Sequence, residues 1–531
     1  IVDPLLQKEL QIKLEEENWD YIHKLGLIQH SIYGVDIQPI AVEISKLRFF
    51  LSLIVDEKID DEKQNRGIIP LPNLEFKFVA ANTLIGLEIF PTIMNLRSNN
   101  DGIDINLDKL IEELRKLRKE YFNSIENKLE LQKKFVELQK QIFERSLNWQ
   151  KDIGQQIQLS MWEPFKFYSS NWFDPEWMFG VTDGFDIVIG NPPYGIKMDN
   201  IDNLIKTYKH FDRQKNSASF FIELGSLLSN SKGIIAYIIP KSLSFSEGWK
   251  KTRELVTHKN RLISVIDVSK AFEDVKLEQI IICFSKKTII GKYQFNVGER
   301  WSGEIKVSDK ISKSMIDQLD ILPIYINKRK QSILSKLQQG SILLSEISKT
   351  FRGLPFQSKL SNSGQPILRG KNIGKYKIYG SIDKISLPQE ILDSAKVIEI
   401  LKPKIISQNI VTHVMNPYDR IMVIATIDTE GFLTLDTVMN TYLTTDRFTL
   451  QYVLAILNSQ LASWFYCWFV YNKAIMTMHF DKYYMGKLPI KDVDLKTQQC
   501  LINLIDQILT AKKQNPSADT TRWEREIDTL V

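Results

Sequence analysis

Short apolar runs that stop abruptly at a polar residue alternate along this chain with longer stretches whose apolar residues recur every three or four positions. Ser31–Asp36, Phe76–Leu84, Phe185–Gly190, Ile234–Pro240 and Leu262–Val268 are runs of the first kind and read as strands, Phe185–Gly190 as a buried parallel one. After the first run Pro39 stands where the opening turn of a helix tolerates proline, and Ile40, Ile44, Leu47 and Leu51 then repeat with helical spacing. Ser219–Ser229 is a second helical stretch, leading through Ser231-Lys-Gly233 into the fourth strand. Strands and helices alternating in this way predict an α/β domain on a doubly wound sheet.

Two stretches depart from that alternation. Residues 103–153 contain neither Gly nor Pro, and Leu107, Leu110, Leu114, Leu117 and Tyr121, then Leu131, Phe135, Leu138 and Ile142, mark two long helices rich in Lys and Glu. They predict a helical hairpin, a solvated arm inserted over about 97–160 between the third and fourth strands of the sheet. Residues 195–216 are polar and predict an irregular loop over a substrate pocket.

From Ile326 the character changes. The chain carries a net charge of only +5, yet residues 328–420 hold 16 Lys/Arg against 6 Asp/Glu, so the remainder is net acidic. A basic window in a near-neutral protein is the footprint of a polyanion, with nucleic acid the leading candidate. Basic residues interleaved there with Gly, Asn, Tyr and β-branched residues predict loops on a small α+β domain that touch phosphates and base edges. The aromatic stretch Trp464–Tyr471 reads as domain core, and residues 494–512 as a C-terminal helix. The domain plan is a catalytic domain over 1–290, a linker over 291–325 and a nucleic-acid-reading domain over 326–531.

No run of 18 apolar residues is present to span a bilayer. Cys283, Cys467 and Cys500 stand singly, without Cys-x-x-Cys, and the six histidines show no metal-ligand spacing. These features predict a cytoplasmic protein without a metal site.

The candidate chemistry lies at Phe185-Asp-Ile-Val-Ile-Gly-Asn-Pro-Pro-Tyr194. Two consecutive prolines at a strand's end fix φ, remove two donors and hold Asn191 in one geometry. The Asn191 side-chain oxygen and the Pro192 carbonyl can accept the two hydrogens of a planar amino group, while Tyr194 stacks on its ring. Nothing in such a site has to titrate.

Phe185–Tyr194 resembles motif IV of the amino-methyltransferases that use S-adenosylmethionine (SAM), and its Asn-Pro-Pro-Tyr form resembles that of enzymes methylating N6 of adenine in DNA. The resemblance implies a Rossmann-like SAM-dependent methyltransferase sheet and a catalytic role for Asn191, Pro192, Pro193 and Tyr194. Tyr33-Gly-Val-Asp36 resembles motif II, which implies that Asp36, with Ile37 beside it, binds the SAM ribose; an acidic helix cap is the open alternative at Asp36. Phe76–Leu84 resembles motif III, implying that Asn82 and Thr83 hold the SAM adenine, with Asn191 closing the cofactor site. Ser231–Pro240 resembles motif VI and Ala271–Phe284 motif VIII, which places Phe272 against the target base or, equally, in the core.

Phe351-Arg-Gly353, Pro366–Ile373 and Val453–Ser459 resemble the target-recognition domain of TaqI-type adenine methyltransferases and type IIG restriction-modification enzymes. That implies double-stranded DNA as partner, contacted by Arg352, Arg369, Lys371 and Lys404, with Arg369 as base reader because Gly370 allows a close approach. Glu75-Phe-Lys77 fits half of a nuclease site, but it lies within a strand and has no convincing upstream Asp. Motif I, the Gly-containing SAM loop after a central strand, is absent. The expectation is therefore a portion of a longer or split protein, completed by an upstream motif I or nuclease segment, in a restriction-modification or phage-defence setting. Methyltransferases of RNA or protein glutamine, and a DNA-binding specificity protein with an inactive catalytic half, remain as alternatives.

Overall fold

The computed structural model describes residues 19–531 apart from 58, 63–65, 67–71, 87–104, 125–126, 147–161, 196–197, 199–200, 213–215, 273–274, 288–290 and 476. The chain folds as two compact units, Ile1–Phe185 with Asn200–Thr207 and Asp186–Asp199 with Tyr208–Val531. The division falls inside the stretch expected to be one catalytic domain.

In the first unit β1 (Gly34–Asp36) and β2 (Phe78–Ala80) pair in parallel, with Asp36 opposite Ala80. The crossover between them begins with α2 (Pro39–Ile54), which follows α1 (Trp19–His30). Pro39 does start α2, as its fixed φ and missing donor favour. The apolar stripe is another matter. Val42 and Leu53 turn into a core with Tyr21, Leu25 and Phe78, whereas Ile40, Ile44, Leu47 and Leu51 are 56, 48, 53 and 51% exposed. The face expected to pack inward looks outward.

The two long helices are present as α3 (Ile105–Asn123) and α4 (Lys128–Ser146); residues 97–104 and 147–160 of the expected insertion lie outside the described residues. The hairpin is docked, which corrects the expectation of a solvated arm. Phe76, leading into β2, packs its ring at 5.3 Å from Tyr121 and 4.9 Å from Phe135. Asn73 donates to the Tyr121 carbonyl at 2.7 Å. Lysine and glutamate dominate only the outer face, so composition alone conceals the inner seam.

The second unit is built on a six-stranded sheet of order β3 (Phe185–Gly190), β4 (Ser229–Pro240), β6 (Gln279–Ser285), β5 (Arg261–Ser269), β7 (Gln294–Trp301) and β8 (Glu304–Ser312). β6 runs antiparallel to both β4 and β5, and β7 is parallel to β5. Alternate residues Ile280, Ile282 and Phe284 of β6 are fully buried, as period-two side-chain placement requires. The expected linker over 291–325 is corrected by β7 and β8, which extend this sheet. β8 was concealed because Glu304–Ser312 exposes six of its nine residues and carries no apolar run. The expected loop over 195–216, of which 196–197, 199–200 and 213–215 lie outside the described residues, contains a helix of the first unit, α5 (Ile201–Thr207), and is followed by α6 (Ser217–Leu228) of the second.

The C-terminal part is α+β, as predicted. One four-stranded sheet joins Ser348–Arg352, Val438–Leu443, Lys404–Gln408 and Ala425–Asp428, and a second joins Leu360–Ser361, Asp383–Ile385, Gln365–Leu368 and Leu433–Thr434. Phe465, Tyr466, Phe469 and Tyr471 are buried, so the aromatic stretch is core. This core runs without a break into that of the six-stranded sheet. Among the described residues no single helix is long and apolar enough to cross a membrane.

Candidate active site and specificity surface

In the second unit, β3 ends at Gly190 and delivers Asn191 to the surface at the carboxyl end of an edge strand. A Cβ at Gly190 would lie 2.9 Å from the Tyr237 ring on β4, so only glycine lets the turn sit this close to the sheet. Pro192 is buried, whereas Asn191 and Pro193 are exposed. Ser217, at the start of α6, donates its hydroxyl to the Pro193 carbonyl at 2.6 Å. Asn216 caps that helix by accepting from the Ala218 N–H, which fixes the donor in turn. No described residue donates to the Asn191 side chain or to the Pro192 carbonyl, the two acceptors read from the sequence.

Tyr194 is half-buried against the core, and its hydroxyl accepts a hydrogen bond from the Gln279 side chain. The Gln279 carbonyl oxygen accepts from the Ala271 N–H at 3.0 Å. The structure thereby links Tyr194 to the segment carrying Phe272, which is 42% exposed rather than a core anchor. Ser217 and Gln279 escaped sequence reasoning. The only trace was the polar pair Glu278-Gln279 at the head of an apolar strand.

Next to Gln279, Lys241 is buried between Asp267 at 2.8 Å and Glu278 at 3.0 Å, and donates to the Lys473 carbonyl. The other Glu278 oxygen accepts from the Ile475 N–H at 2.7 Å. Buried charges of this kind persist only when paired and hydrogen-bonded. They tie the six-stranded sheet to the loop at 473–475. Above them opens a cleft of about 770 Å³ lined by Pro240, Phe245, Leu277, Tyr471, His479 and Tyr484 among others.

In the first unit, Asp36 and Asn82 come together at the carboxyl ends of neighbouring parallel strands, where ligands of open α/β sheets bind. The Ala81 N–H donates to the Asp36 carbonyl at 2.9 Å. Asp36 is exposed, and one carboxylate oxygen accepts from the Gln38 N–H at 2.8 Å, so the turn-capping alternative also describes it. Asn82 accepts from the Leu84 N–H at 3.2 Å. Ile37 is 59% exposed and Thr83 half-buried beside them. Glu75 pairs with Lys128 on the hairpin. Lys77 is buried over the Tyr33 ring, and burial pulls its ammonium down to about 8. Glu75 and Lys77 thus serve packing.

The four cations expected on DNA divide. Arg352 is exposed and donates to the Asp436 carbonyl at 3.1 Å. Arg369 and Lys371 both reach Asp383 at 3.3 Å and hold its carboxyl below the usual value, Lys371 contributing most. Gly370 has an internal reason: a Cβ there would stand 3.2 Å from the Thr437 carbonyl. Lys404 is corrected outright. It is fully buried in an ion pair with Asp428 and offers nothing to a phosphate.

Residues 30–273 match the Eco57I restriction-modification methylase family, and residues 365–490 match the TaqI-like C-terminal specificity domain. A Methanocaldococcus jannaschii protein, described provisionally as a type II restriction enzyme and methyltransferase, is 26% identical over 87% of this chain. This chain spans 44% of that relative's length. The fold is also similar to that of the type IIL restriction-modification enzyme MmeI in complex with DNA, with a TM-score of 0.50 at 10% identity, covering 99% of this chain and 73% of MmeI. Residues 30–273 are thus an Eco57I-type restriction-modification methylase domain, and residues 365–490 a TaqI-like C-terminal specificity domain.

Proposed function

We propose that this chain transfers a methyl group from SAM to the N6 amino group of an adenine rotated out of double-stranded DNA. The observation that carries the reading is the Asn-Pro-Pro-Tyr turn at the end of β3, with Asn191 exposed and its acceptors unoccupied by described donors. Asn191 and the Pro192 carbonyl accept the two amino hydrogens, which localises the nitrogen lone pair and aims it. Tyr194 and Phe272 bracket the base. Asp36 and Asn82, acceptors at adjacent strand ends, suit the ribose hydroxyls and adenine amino group of SAM, which supplies the methyl as a sulfonium. The amine displaces the thioether and releases its proton to solvent. The test is incubation with labelled SAM and unmethylated duplex DNA, then nucleoside analysis. Label in N6-methyladenine supports the reading, and label in another nucleoside or in protein overturns it.

The SAM site needs a partner for the exposed stripe Ile40, Ile44, Leu47 and Leu51. We assign that role to a motif I segment, in cis or on a second polypeptide, because a half-exposed apolar helix face is a surface built to be covered. Residues 1–531 alone should then bind SAM weakly, and the added segment should restore affinity. Calorimetry that finds tight binding by 1–531 alone overturns the assignment.

Affinity for DNA is assigned to the surface around Arg352, Arg369 and Lys371. Replacing a phosphate-contacting residue should weaken all duplexes alike and lower the salt slope by about one unit. A base reader should instead cost roughly 1–3 kcal/mol on the cognate site only. Binding titrated against salt on cognate and scrambled duplexes separates the two. Unchanged slopes for all three variants would leave these residues as a solvated face.

A further inference from the structure

Among the side chains behind the Asn-Pro-Pro-Tyr turn, one joins two segments that the proposed reaction needs in register. Gln279 is fully buried at the first position of β6, where the sheet places it opposite Pro240 on β4 and Ser269 on β5. A glutamine amide offers two donors and one carbonyl acceptor. Here the amide nitrogen donates to the Tyr194 hydroxyl, and the carbonyl accepts from the Ala271 N–H. Tyr194 follows the β3 turn; Ala271 immediately precedes Phe272 in the connection between β5 and β6. One buried side chain, pinned at mid-sheet, therefore sets two aromatic residues relative to each other.

We propose that Gln279 is a positioning residue for the target-base pocket, holding the Tyr194 ring and the Phe272 segment in the single spacing that brackets the flipped base. The inference rests on the methyltransferase reading above. In a reaction whose catalysis is placement of an amine, a small misplacement of the stacked base is felt in the chemical step, and a site is as accurate as the shell that supports it. An aliphatic residue at 279 fills the same space but leaves the Ala271 N–H and the Tyr194 hydroxyl without this partner. Glutamate differs: the Tyr194 hydroxyl can turn to donate to one carboxylate oxygen while the Ala271 N–H donates to the other.

The test is a double-mutant cycle in the intact protein, with single-turnover methyl transfer, KM for SAM and thermal midpoint measured for each variant on unmethylated duplex DNA. Gln279→Met keeps length and burial and removes both bonds, whereas Tyr194→Phe keeps the ring and removes one. Each should lower the single-turnover rate by roughly 10- to 100-fold, with KM for SAM changed less than about twofold, as expected when only transition-state placement is lost. The double variant should be no slower than the worse single one, because both remove the same link. Gln279→Glu should retain more activity than Gln279→Met.

Wild-type rates per folded molecule in Gln279→Met, or a double variant as slow as the product of the singles, would overturn the proposal and leave Gln279 a packing residue. Tyr194→Phe keeps the test decisive should Gln279→Met not fold. Asn191→Ala in the same assay separates the two levels: no methyl transfer to DNA by the unsubstituted protein means that the methyltransferase reading has failed, near wild-type transfer by Asn191→Ala means that the site does not lie at this turn, and an inactive Asn191→Ala beside an unimpaired Gln279→Met overturns only the positioning role.

Discussion

Asn191→Ala is expected to lower the methyl-transfer rate by roughly 10²–10³-fold, the range for removing one preorganised group aimed at charge that develops in the transition state. The lone pair of an exocyclic amine is delocalised into its ring, and it becomes nucleophilic only as the nitrogen pyramidalises. An acceptor on the amino hydrogens favours that change most at the moment of transfer, so its loss should fall on kcat rather than on KM for DNA. The geometry supports a specific cost: Pro192 is buried, the Pro193 carbonyl is taken by Ser217, and Asn191 alone projects a side-chain acceptor from the turn. Tyr194→Ala should be milder, since stacking contributes about 1–3 kcal/mol per base. DNA binding should be nearly unchanged in Asn191→Ala, because the residue is not a phosphate contact. Methylation at near wild-type rate by that variant would remove the site from this turn.

The parts of this chain legible from sequence were those where one local rule acts without competition. A β-branched run ending in two prolines reads as a strand that stops, and β3 does end there, although it is an edge strand with Ile187 and Ile189 exposed and not the buried strand expected. Pro39 marked the start of α2 for the same reason. What periodicity could not show is which side of a helix the rest of the protein covers. The α2 stripe has the spacing of a core face, yet Val42 and Leu53, off that stripe, are the buried residues. The helical hairpin failed in the opposite sense, since its Lys/Glu content advertised solvent while Phe76 awaited Tyr121 and Phe135.

Strands that extend a sheet with one wet face, such as β8, carry almost no apolar pattern and read as a linker. Side-chain hydrogen bonds between distant segments were beyond reach altogether. Nothing in the sequence pairs Gln279 with Tyr194, and tertiary contact of this kind overrides any reading based on neighbours along the chain.

Lys404 shows the same limit with a measurable consequence. In sequence, Leu401-Lys-Pro-Lys-Ile405 is a basic cluster beside a proline, the pattern of a phosphate-contacting loop. In the structure Lys404 opens a central strand between Val438–Leu443 and Ala425–Asp428, with its ammonium on Asp428 and on the Phe432 carbonyl. Burial pulls that ammonium below the usual lysine value despite the opposing pull of Asp428, so desolvation outweighs attraction. A pair in that state need not stabilise the fold relative to two apolar residues, yet removing one member leaves a buried charge alone.

Asp428 also accepts the Glu430, Gly431 and Phe432 N–H groups, at 3.0, 3.0 and 2.9 Å, which offsets part of that penalty. Lys404→Met should therefore destabilise the second unit by about 3 kcal/mol, the low end for breaking a buried pair. Asp428→Asn in the Lys404→Met background should recover part of the loss by removing the orphaned charge. Denaturant unfolding of the three proteins measures both effects, and DNA titration under folding conditions should show a wild-type salt slope for Lys404→Met. A lowered slope with unchanged stability would place Lys404 on the DNA after all and refute its burial.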